Sequence, residues 1–275
     1  MRPLLAVLIT LPLLAPAAAQ DHGAFDAHRR LLDEVLDLYV RDGMVYYRAL
    51  KSDRAKLDEY VAWLAEAPVD ASGRDEQLAF WLNAYDALVL RTVVDHYPIV
   101  RRSREYPDRS IRQIPGAFER LTHRVARRQV TLDEIETKIL AGFKDPRVYF
   151  AIGRGAVGGG RLRSEAFAPG RLEAQLAAVA AECVSRPQCV AVDRTSNRVE
   201  ASAIFSWRAD DFIAAYAGAA HERYASRSPI ERAILAYIEP HVLTVERELL
   251  ARNEFSVTFK PLDWSLNDLT GRGGR

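Results

Sequence analysis

A glycine- and arginine-rich segment holds the residues whose types and spacing suggest chemistry. It reads GRGAVGGGRLRSEAF over residues 153–167 and follows the apolar run Val148–Ile152. Successive glycine N–H groups can bind an anion, and arginine side chains bind carboxylates and phosphates through paired hydrogen bonds. The pattern predicts an anion site here, and its candidate ligands are Arg154, Arg161, Arg163, Gly158 and Gly159. A flexible surface loop without a ligand is the alternative interpretation.

The same segment contains G-x-G-x-x-G at Gly153, Gly155 and Gly158, a pattern typical of dinucleotide-binding sites. In such sites the third glycine enters a helix that packs on a parallel strand. Here Gly159 and Gly160 follow, and glycine is a poor residue for starting a helix. We therefore expect no dinucleotide at this segment, and no other cofactor.

The segment Glu76–Pro98 is expected to form the centre of the core. Its apolar residues recur around the whole circumference of a 3.6-residue period, which predicts a helix buried on most sides. Pro98 disfavours helical geometry at the preceding residue and should end the helix. Asn83 and Asp86 would lie in the core, where polar groups need hydrogen-bond partners. Neighbouring backbone groups are the simplest partners.

Helical and strand-like patterns continue through the rest of the chain. Further helices are expected at Phe25–Arg41, Arg54–Glu66, Leu132–Phe143, Leu172–Cys183, Ala209–Ala220 and Pro229–Ile238. Strands are expected at Arg124–Thr131 (as a hairpin), Val148–Ile152, Cys189–Val192, Val199–Ala201 and Phe255–Phe259. The expected fold class is α+β, a helix-dominated single domain with a small, mostly antiparallel sheet around a buried central helix. Val148–Ile152 should lie inside that sheet, with residues 153–163 at its carboxyl end.

The chain divides into four expected segments. Residues 1–19 combine Arg2, an apolar run and three small residues, which is typical of an export signal and too short for a membrane span. Residues 20–42 form an N-terminal helical segment, residues 43–268 the globular domain, and residues 269–275 a disordered tail. We expect an exported protein, periplasmic or secreted.

Charge and motifs exclude several functions. The 275-residue chain has a net charge of +1, so no global field attracts it to nucleic acid or to a membrane. Residues 101–128 hold nine arginines against three acidic residues, an excess that we interpret as a solvated rim. The six histidines lack zinc-site spacing, and no G-x-S-x-G elbow is present, so no metal site is expected. A small anionic ligand or an unidentified protein are the remaining partners.

Several short motifs occur together and in a fixed order. They are YRALKSD (47–53), FWLNAY (80–85), DHYP (95–98), SIRQI (110–114), VTLDEIE (130–136), DPRVYFAI (145–152), IFSW (204–207) with DF (211–212), and DWSLND (263–268). Together they resemble the domain of unknown function 547 family, whose signature reads FWxNxYN. The resemblance spans about residues 43–268 and implies no activity.

The resemblance also shows what this chain lacks. Relatives carry a histidine and two cysteines in a loop similar to HFALNCxSVGCPPLR. In this chain those three positions are Tyr149, Arg154 and Gly159, and the two prolines are Gly160 and Arg161. No thiolate nucleophile or metal thiolate can form at this place.

Two functions remain open. One is a non-catalytic binding or accessory protein whose glycine/arginine loop holds an anion. The alternative is an enzyme, hydrolase- or transferase-like, that uses Asn83, Tyr85, Arg163 and Glu165. In that enzyme Glu165 would act as acid or base and Arg163 would orient an anionic substrate. The enzyme requires the four side chains to share one cleft.

The two cysteines, Cys183 and Cys189, lie six residues apart around Pro187. In an oxidising compartment such a pair predicts a structural disulfide, and closing this short loop stabilises the fold by about 2–2.5 kcal/mol in the chain-entropy model. We expect the exported protein to show no reactive thiol when it is denatured without reductant. Two thiols per chain in that titration would contradict the bridge.

Overall fold

Short helices make up most of the computed structural model, which describes residues 17–269, with side chains from residue 23 on. The helices are α1 (Ala17–Tyr39), α2 (Tyr47–Ser52), α3 (Ala55–Leu64), α4 (Arg74–His96), α5 (Leu132–Glu134), α6 (Val148–Ala151), α7 (Leu172–Ser185), α8 (Ala203–Trp207), α9 (Ala209–Tyr216), α10 (Pro229–Ile238) and α11 (Thr244–Arg252). The strands are β1 (Val40–Arg41), β2 (Met44–Val45), β3 (Thr122–Val125), β4 (Arg128–Thr131), β5 (Val190–Asp193), β6 (Arg198–Ser202) and β7 (Ser256–Lys260). The expected export signal lies outside this range apart from the backbone of residues 17–19, as does the expected tail from residue 270 on.

Helix α4 is the centre of the core, as its apolar pattern predicts. Seventeen of its 23 residues are buried. Asp75 and Glu76 lie in its first turn and His96 in its last, an arrangement that complements the helix dipole. The helix ends before Pro98, as expected. It packs against α2, α3 and the helical segment that begins with α5.

The strands form three small sheets. The hairpin β3–β4 is antiparallel, and its two turn residues, Ala126 and Arg127, have the positive φ angles of 48° and 62° that a tight hairpin requires. The three-stranded sheet has the order β5-β6-β7, with β5 antiparallel and β7 parallel to β6. The two-residue strands β1 and β2 form the third sheet. A helix-dominated α+β fold with a mostly antiparallel sheet content is therefore confirmed.

One predicted strand is wrong. Val148–Ile152 does not lie in a sheet, because its first four residues form the single turn α6. All five residues are buried, and a short apolar run of this kind does not distinguish a buried strand from a buried helical turn. Asp145 starts the turn, because its carboxylate accepts from the Arg147 N–H and its carbonyl from the Val148 N–H, both at 3.1 Å. The glycine segment therefore follows a helical turn.

The helix predicted at Leu132–Phe143 is present but irregular. The capping box of Thr131 and Glu134 starts it, as the sequence indicates. It continues as a π-helix over Ile135–Leu140 and a 3-10 turn over Ala141–Phe143. A π-helical turn is rare and is frequently found at functional sites. Glu136 lies in it.

A disulfide joins the end of α7 to the start of the three-stranded sheet. Cys183 and Cys189 are bonded, with their Cα atoms 5.2 Å apart. The bridge closes a turn whose backbone is also held by hydrogen bonds from Cys189 and Val190 to the carbonyl of Arg186. The pairing agrees with the sequence prediction.

Two polar side chains of α4 bond to the backbone on either side of the glycine-rich segment. The Asn83 amide donates to the Phe167 carbonyl and accepts from the Phe167 N–H, both at 2.8 Å. The Asp86 carboxyl accepts from the Gly153 N–H at 2.9 Å. Burial raises the pKa of Asp86 to about 7, against the opposing effects of that hydrogen bond and the Arg154 charge. Asn83 and Asp86 therefore both have backbone groups as hydrogen-bond partners, as expected from the sequence.

Replacing Asn83 by alanine should destabilise the fold by about 1–3 kcal/mol, because two buried backbone groups of Phe167 lose their partners. Thr92→Val is the matched control on the same helix, since the Thr92 hydroxyl is buried and has no hydrogen-bond partner among the described residues. We expect urea unfolding to show a clear loss for Asn83→Ala and nearly none for Thr92→Val. Equal midpoints for the two variants would contradict this role of Asn83.

Asp86 should make the fold less stable as pH rises. The folded state keeps its proton up to about pH 7, whereas the ordinary pKa of 3.8 applies to the unfolded chain. Below pH 4 the Asp86 carboxyl is protonated in both states, so the free energy of unfolding does not change with its titration. Between pH 4 and pH 7 the free energy of unfolding falls by about 1.4 kcal/mol per pH unit, because only the unfolded chain loses the proton. The stability of Asp86→Asn relative to the parent should increase between pH 4 and pH 7, and this difference should stay constant above pH 7.

The control is Asp95→Asn on the same helix, since arginine partners lower the pKa of Asp95 and burial only partly opposes them. Its stability difference from the parent should stay constant between pH 5 and 7. Urea unfolding at several pH values measures both variants. A constant difference for Asp86→Asn over the same range would contradict the raised pKa.

Candidate functional site

The glycine-rich segment is packed into the protein, and most of its glycine N–H groups donate to acceptors of the protein. The N–H of Gly158 donates to the Asp263 carbonyl at 2.9 Å, and that of Gly159 donates to the Ala156 carbonyl at 3.1 Å. A Cβ atom on Gly158 or Gly159 would lie 2.5 Å from a backbone atom of Asp263 or Gly153. The glycines are therefore needed for close backbone packing. The N–H groups of Gly158 and Gly159 are thus not free to bind the expected anion, and the close packing does not favour a flexible surface loop.

The three arginines of the segment do not converge. Arg154 points into the core. Arg161 pairs with Asp42 at 2.7 Å and with Glu182 at 3.4 Å. Arg163 pairs with Glu165 at 2.8 Å and with Glu182 at 3.3 Å. Each guanidinium is neutralised by carboxylates of the protein, so the structure offers no common anion site to them.

The four residues of the enzyme hypothesis do not share a cleft either. Asn83 and Tyr85 are buried, and Asn83 bonds to the Phe167 backbone. Glu165 lies between the guanidinium groups of Arg163 and Arg171. Burial acts to raise the pKa of Glu165, but the hydrogen bond from Arg163 and the two positive charges outweigh it and lower the pKa. A carboxylate of lowered pKa is a weak base at neutral pH.

A buried ion cluster forms around Glu136, and it includes Arg154, one of the positions where the resemblance implies a cysteine. The Glu136 carboxylate accepts two hydrogen bonds from Arg154, at 3.0 and 2.8 Å, and one from Arg208 at 2.8 Å. Tyr85 donates a longer bond of 3.4 Å. Burial opposes ionisation, but the Arg154 charge, its hydrogen bonds and those of Arg208 lower the pKa of Glu136 to about 2. Glu136 stays ionised at any physiological pH.

The position and backbone conformation of Arg154 direct its side chain into the core, towards Glu136. Its side chain is 2% exposed, and its backbone has a positive φ of 50°. One guanidinium nitrogen donates to the Tyr149 carbonyl at 2.8 Å. The residue at the position of a family cysteine is thus a structural partner of Glu136.

Tyr149, at the position of the family histidine, is also held in place. Its hydroxyl donates to Asp211 at 2.5 Å, and the Arg208 guanidinium lies over its ring at 5.2 Å. Burial, followed by the hydrogen bond to Asp211, raises the pKa of Tyr149 well above its ordinary value. The phenol therefore stays neutral and is unsuited to acting as a base.

A cavity of about 380 Å³ adjoins the ion cluster, and we call it the aromatic–arginine groove. Its volume suits a small ligand. Five separate stretches of the chain line it, and the lining residues are Tyr106, Arg112, Phe118, Asp133, Glu136, Thr137, Arg154, Trp207, Arg208 and Trp264.

The groove combines fixed cations with aromatic faces. The Arg112 guanidinium lies over the rings of Trp264 at 4.4 Å and Phe118 at 4.5 Å. Trp207 and Trp264 are nearly parallel, with 20° between their planes and 6.4 Å between their centroids. Trp207 is 48% exposed. Such a surface can bind a ligand through stacking and through hydrogen bonds from guanidinium groups.

Sequence reasoning missed Arg112, Trp207, Arg208 and Trp264 as site residues. A signal was nevertheless present, because Arg112, Trp207 and Trp264 belong to the quoted motifs SIRQI, IFSW and DWSLND. These polar and aromatic residues have no place in a strictly apolar core pattern. Only the folded chain brings the three motifs, up to about 150 residues apart in sequence, to one cavity.

Other types of site are not apparent in the described part of the chain. Among residues 23–269, no group of three His, Cys, Asp or Glu side chains is placed as metal ligands would be. No helix among the described residues has the length and apolar character needed to cross a membrane.

Comparison with known proteins identifies one relationship. No curated protein and no solved structure shows significant similarity to the chain. Residues 69–184 match the family model described as "Protein of unknown function, DUF547". This region runs from the turn before α4 to the end of α7, and it contains Asn83, Glu136 and Arg154. The match agrees with the motif resemblance and supports the assignment of residues 69–184 to the DUF547 family.

Proposed function

We propose that this protein is an exported, non-catalytic binding or accessory protein that holds a small anionic ligand in the aromatic–arginine groove. One observation carries the proposal. The Arg112 guanidinium lies in the wall of the groove, 4.4 Å from the centre of the Trp264 ring, and its carboxylate partner Glu119 is exposed. A guanidinium held against an aromatic face beside a cavity is a ready donor to a carboxylate, so this cation favours an anionic ligand.

The chemistry of the same wall favours binding over catalysis. Glu136 is held ionised by two arginines, so it neither donates nor accepts a proton near neutral pH. The family's cysteine and histidine positions carry Arg154 and Tyr149, and both side chains are committed to internal hydrogen bonds. An enzyme built on Asn83, Tyr85, Arg163 and Glu165 is less favoured, because these side chains have separate partners.

Export is part of the proposal because of the N-terminal signal-like sequence and the Cys183–Cys189 bridge. Disulfides persist mainly in oxidising compartments, and the signal pattern provides a route to one. The two features together support a periplasmic or secreted location as part of the proposal.

Binding in the groove should stabilise the fold in the presence of a simple carboxylate. We expect acetate, at constant ionic strength against chloride, to raise the Tm by about 2–4 °C when its concentration is about five times its Kd. Arg112→Gln should abolish this rise, because the stacked cation is lost while the side chain remains polar. Thermal melts over an acetate series measure the effect.

Two variants serve as controls. Arg101→Gln removes an arginine from the same basic segment but outside the groove, where Arg101 pairs with the exposed Asp108, and it should keep the full response. The double variant Arg161→Ala/Arg163→Ala should keep it too. Loss of the response in the double variant, with retention in Arg112→Gln, would move the site to the glycine-rich segment and contradict the groove.

A further inference from the structure

We infer that the ligand of the aromatic–arginine groove is a carboxylate carried on a ring, with the ring against Trp207 and the carboxylate at Arg112. This inference rests on the proposed function and specifies its ligand class. It comes from the division of the groove into an open aromatic face and a fixed cation.

Trp207 provides the open face. Trp264, its nearly parallel neighbour, is already in edge contact with Tyr106 and Phe118, at centroid distances of 6.4 and 5.7 Å. Trp207 contacts Trp264 but keeps 48% of its surface exposed. A large aromatic residue left exposed beside a cavity is a feature of ligand-binding surfaces. Its indole face suits a flat ring or the C–H face of a sugar ring.

Arg112 provides the cation. Its guanidinium carbon lies 4.4 Å from the centre of the Trp264 ring and 4.5 Å from that of Phe118, so the two rings limit the directions that its N–H donors can take. A guanidinium held in this way loses little conformational freedom when it binds a carboxylate. A carboxylate bound to this guanidinium would leave its attached ring beside the aromatic residues of the same groove.

The internal partners of the two cations differ in strength. Arg208 donates to the buried Glu136, which Arg154 also binds, so this cluster is closed. Arg112 pairs with Glu119, whose side chain is 53% exposed. An exposed ion pair contributes little stability, so a ligand can displace Glu119 at small cost. Arg112 is therefore the cation available to a carboxylate.

The test compares dissociation constants of the full exported chain for ring and non-ring carboxylates by isothermal titration calorimetry. The probes are acetate, cyclohexanecarboxylate, glucuronate and benzoate, with cyclohexylmethanol and glucose as neutral counterparts. We expect at least one ring carboxylate to bind tenfold or more tightly than acetate, and both neutral rings to bind more weakly than their acids. The tightest acid identifies the ring as hydrocarbon, sugar or aromatic.

Two variants assign the two halves of the site. Trp207→Ala should reduce the ring advantage to about threefold or less and leave the acetate affinity unchanged. Glu119→Gln should tighten acetate and ring carboxylates alike, because the internal competitor for Arg112 loses its charge. Both variants lie at exposed side chains, and a melt of each without ligand checks that it folds like the parent.

The outcomes separate this inference from the proposed function. Equal affinities for acetate and all three ring carboxylates would overturn the inference and leave anion binding in the groove intact. Binding of a neutral ring as tightly as its acid would overturn both, because the cation would then contribute nothing. A response to no carboxylate at all would also overturn both.

Discussion

The constraint on which the rest of this structure depends lies in helix α4. This helix is buried over most of its surface, so the polar side chains it carries into the core need hydrogen-bond partners there. Three of the polar side chains of α4 lie within one turn, and each reaches a different partner. Asn83 binds the Phe167 backbone, Asp86 binds the Gly153 N–H, and Tyr85 donates to Glu136. Since an unpaired polar group in the core would cost several kcal/mol, these bonds determine where the glycine-rich segment runs. The segment is held at both ends by one helix.

That constraint explains why the segment is rigid although it is rich in glycine. Its glycines allow backbone atoms to approach to distances that no Cβ atom would permit, and its N–H groups bond to neighbouring carbonyls. Between the two attachment points the chain turns inward at Arg154, which meets Glu136 on the π-helical turn. A buried carboxylate with two guanidinium partners forms here, and one of them, Arg154, is at a position where the resemblance implies a cysteine. Such a buried ion cluster adds little net stability, because the cost of removing its charges from water offsets their attraction.

The groove beside this ion cluster benefits from its rigidity. Arg208 is held by Glu136 and by the ring of Tyr149, and Arg112 is held by two aromatic faces. Cations fixed before a ligand arrives lose less entropy on binding than mobile ones. The same immobility is a disadvantage for proton transfer, because Glu136 and Tyr149 keep one protonation state across the physiological range. A site of this kind is suited to recognition.

Much of the architecture follows from local sequence rules. The buried helix α4, the hairpin β3–β4, the capping box at Thr131, α10 and the paired cysteines all follow from periodicity, capping or spacing, which act over a few residues. The short helices α2, α8 and α11 and the turn α6 were not predicted correctly. Elements of four to nine residues show too few periods to be distinguished, and tertiary packing decides their form.

In the candidate site, too, some features follow from the residue types alone and others only from the tertiary structure. Residue type alone determined that no thiol chemistry occurs at positions 154 and 159, and that Asn83 and Asp86 would need partners in the core. The roles of the arginines were decided only by the fold. Arg154, Arg161 and Arg163 look alike in sequence, yet one is buried against Glu136 and two pair with surface carboxylates, while Arg112 lies over aromatic rings. Glu136, Glu182 and Trp264 are distant in sequence from the arginines they meet. Charge and stacking act through space, so only the tertiary structure could choose among these partners.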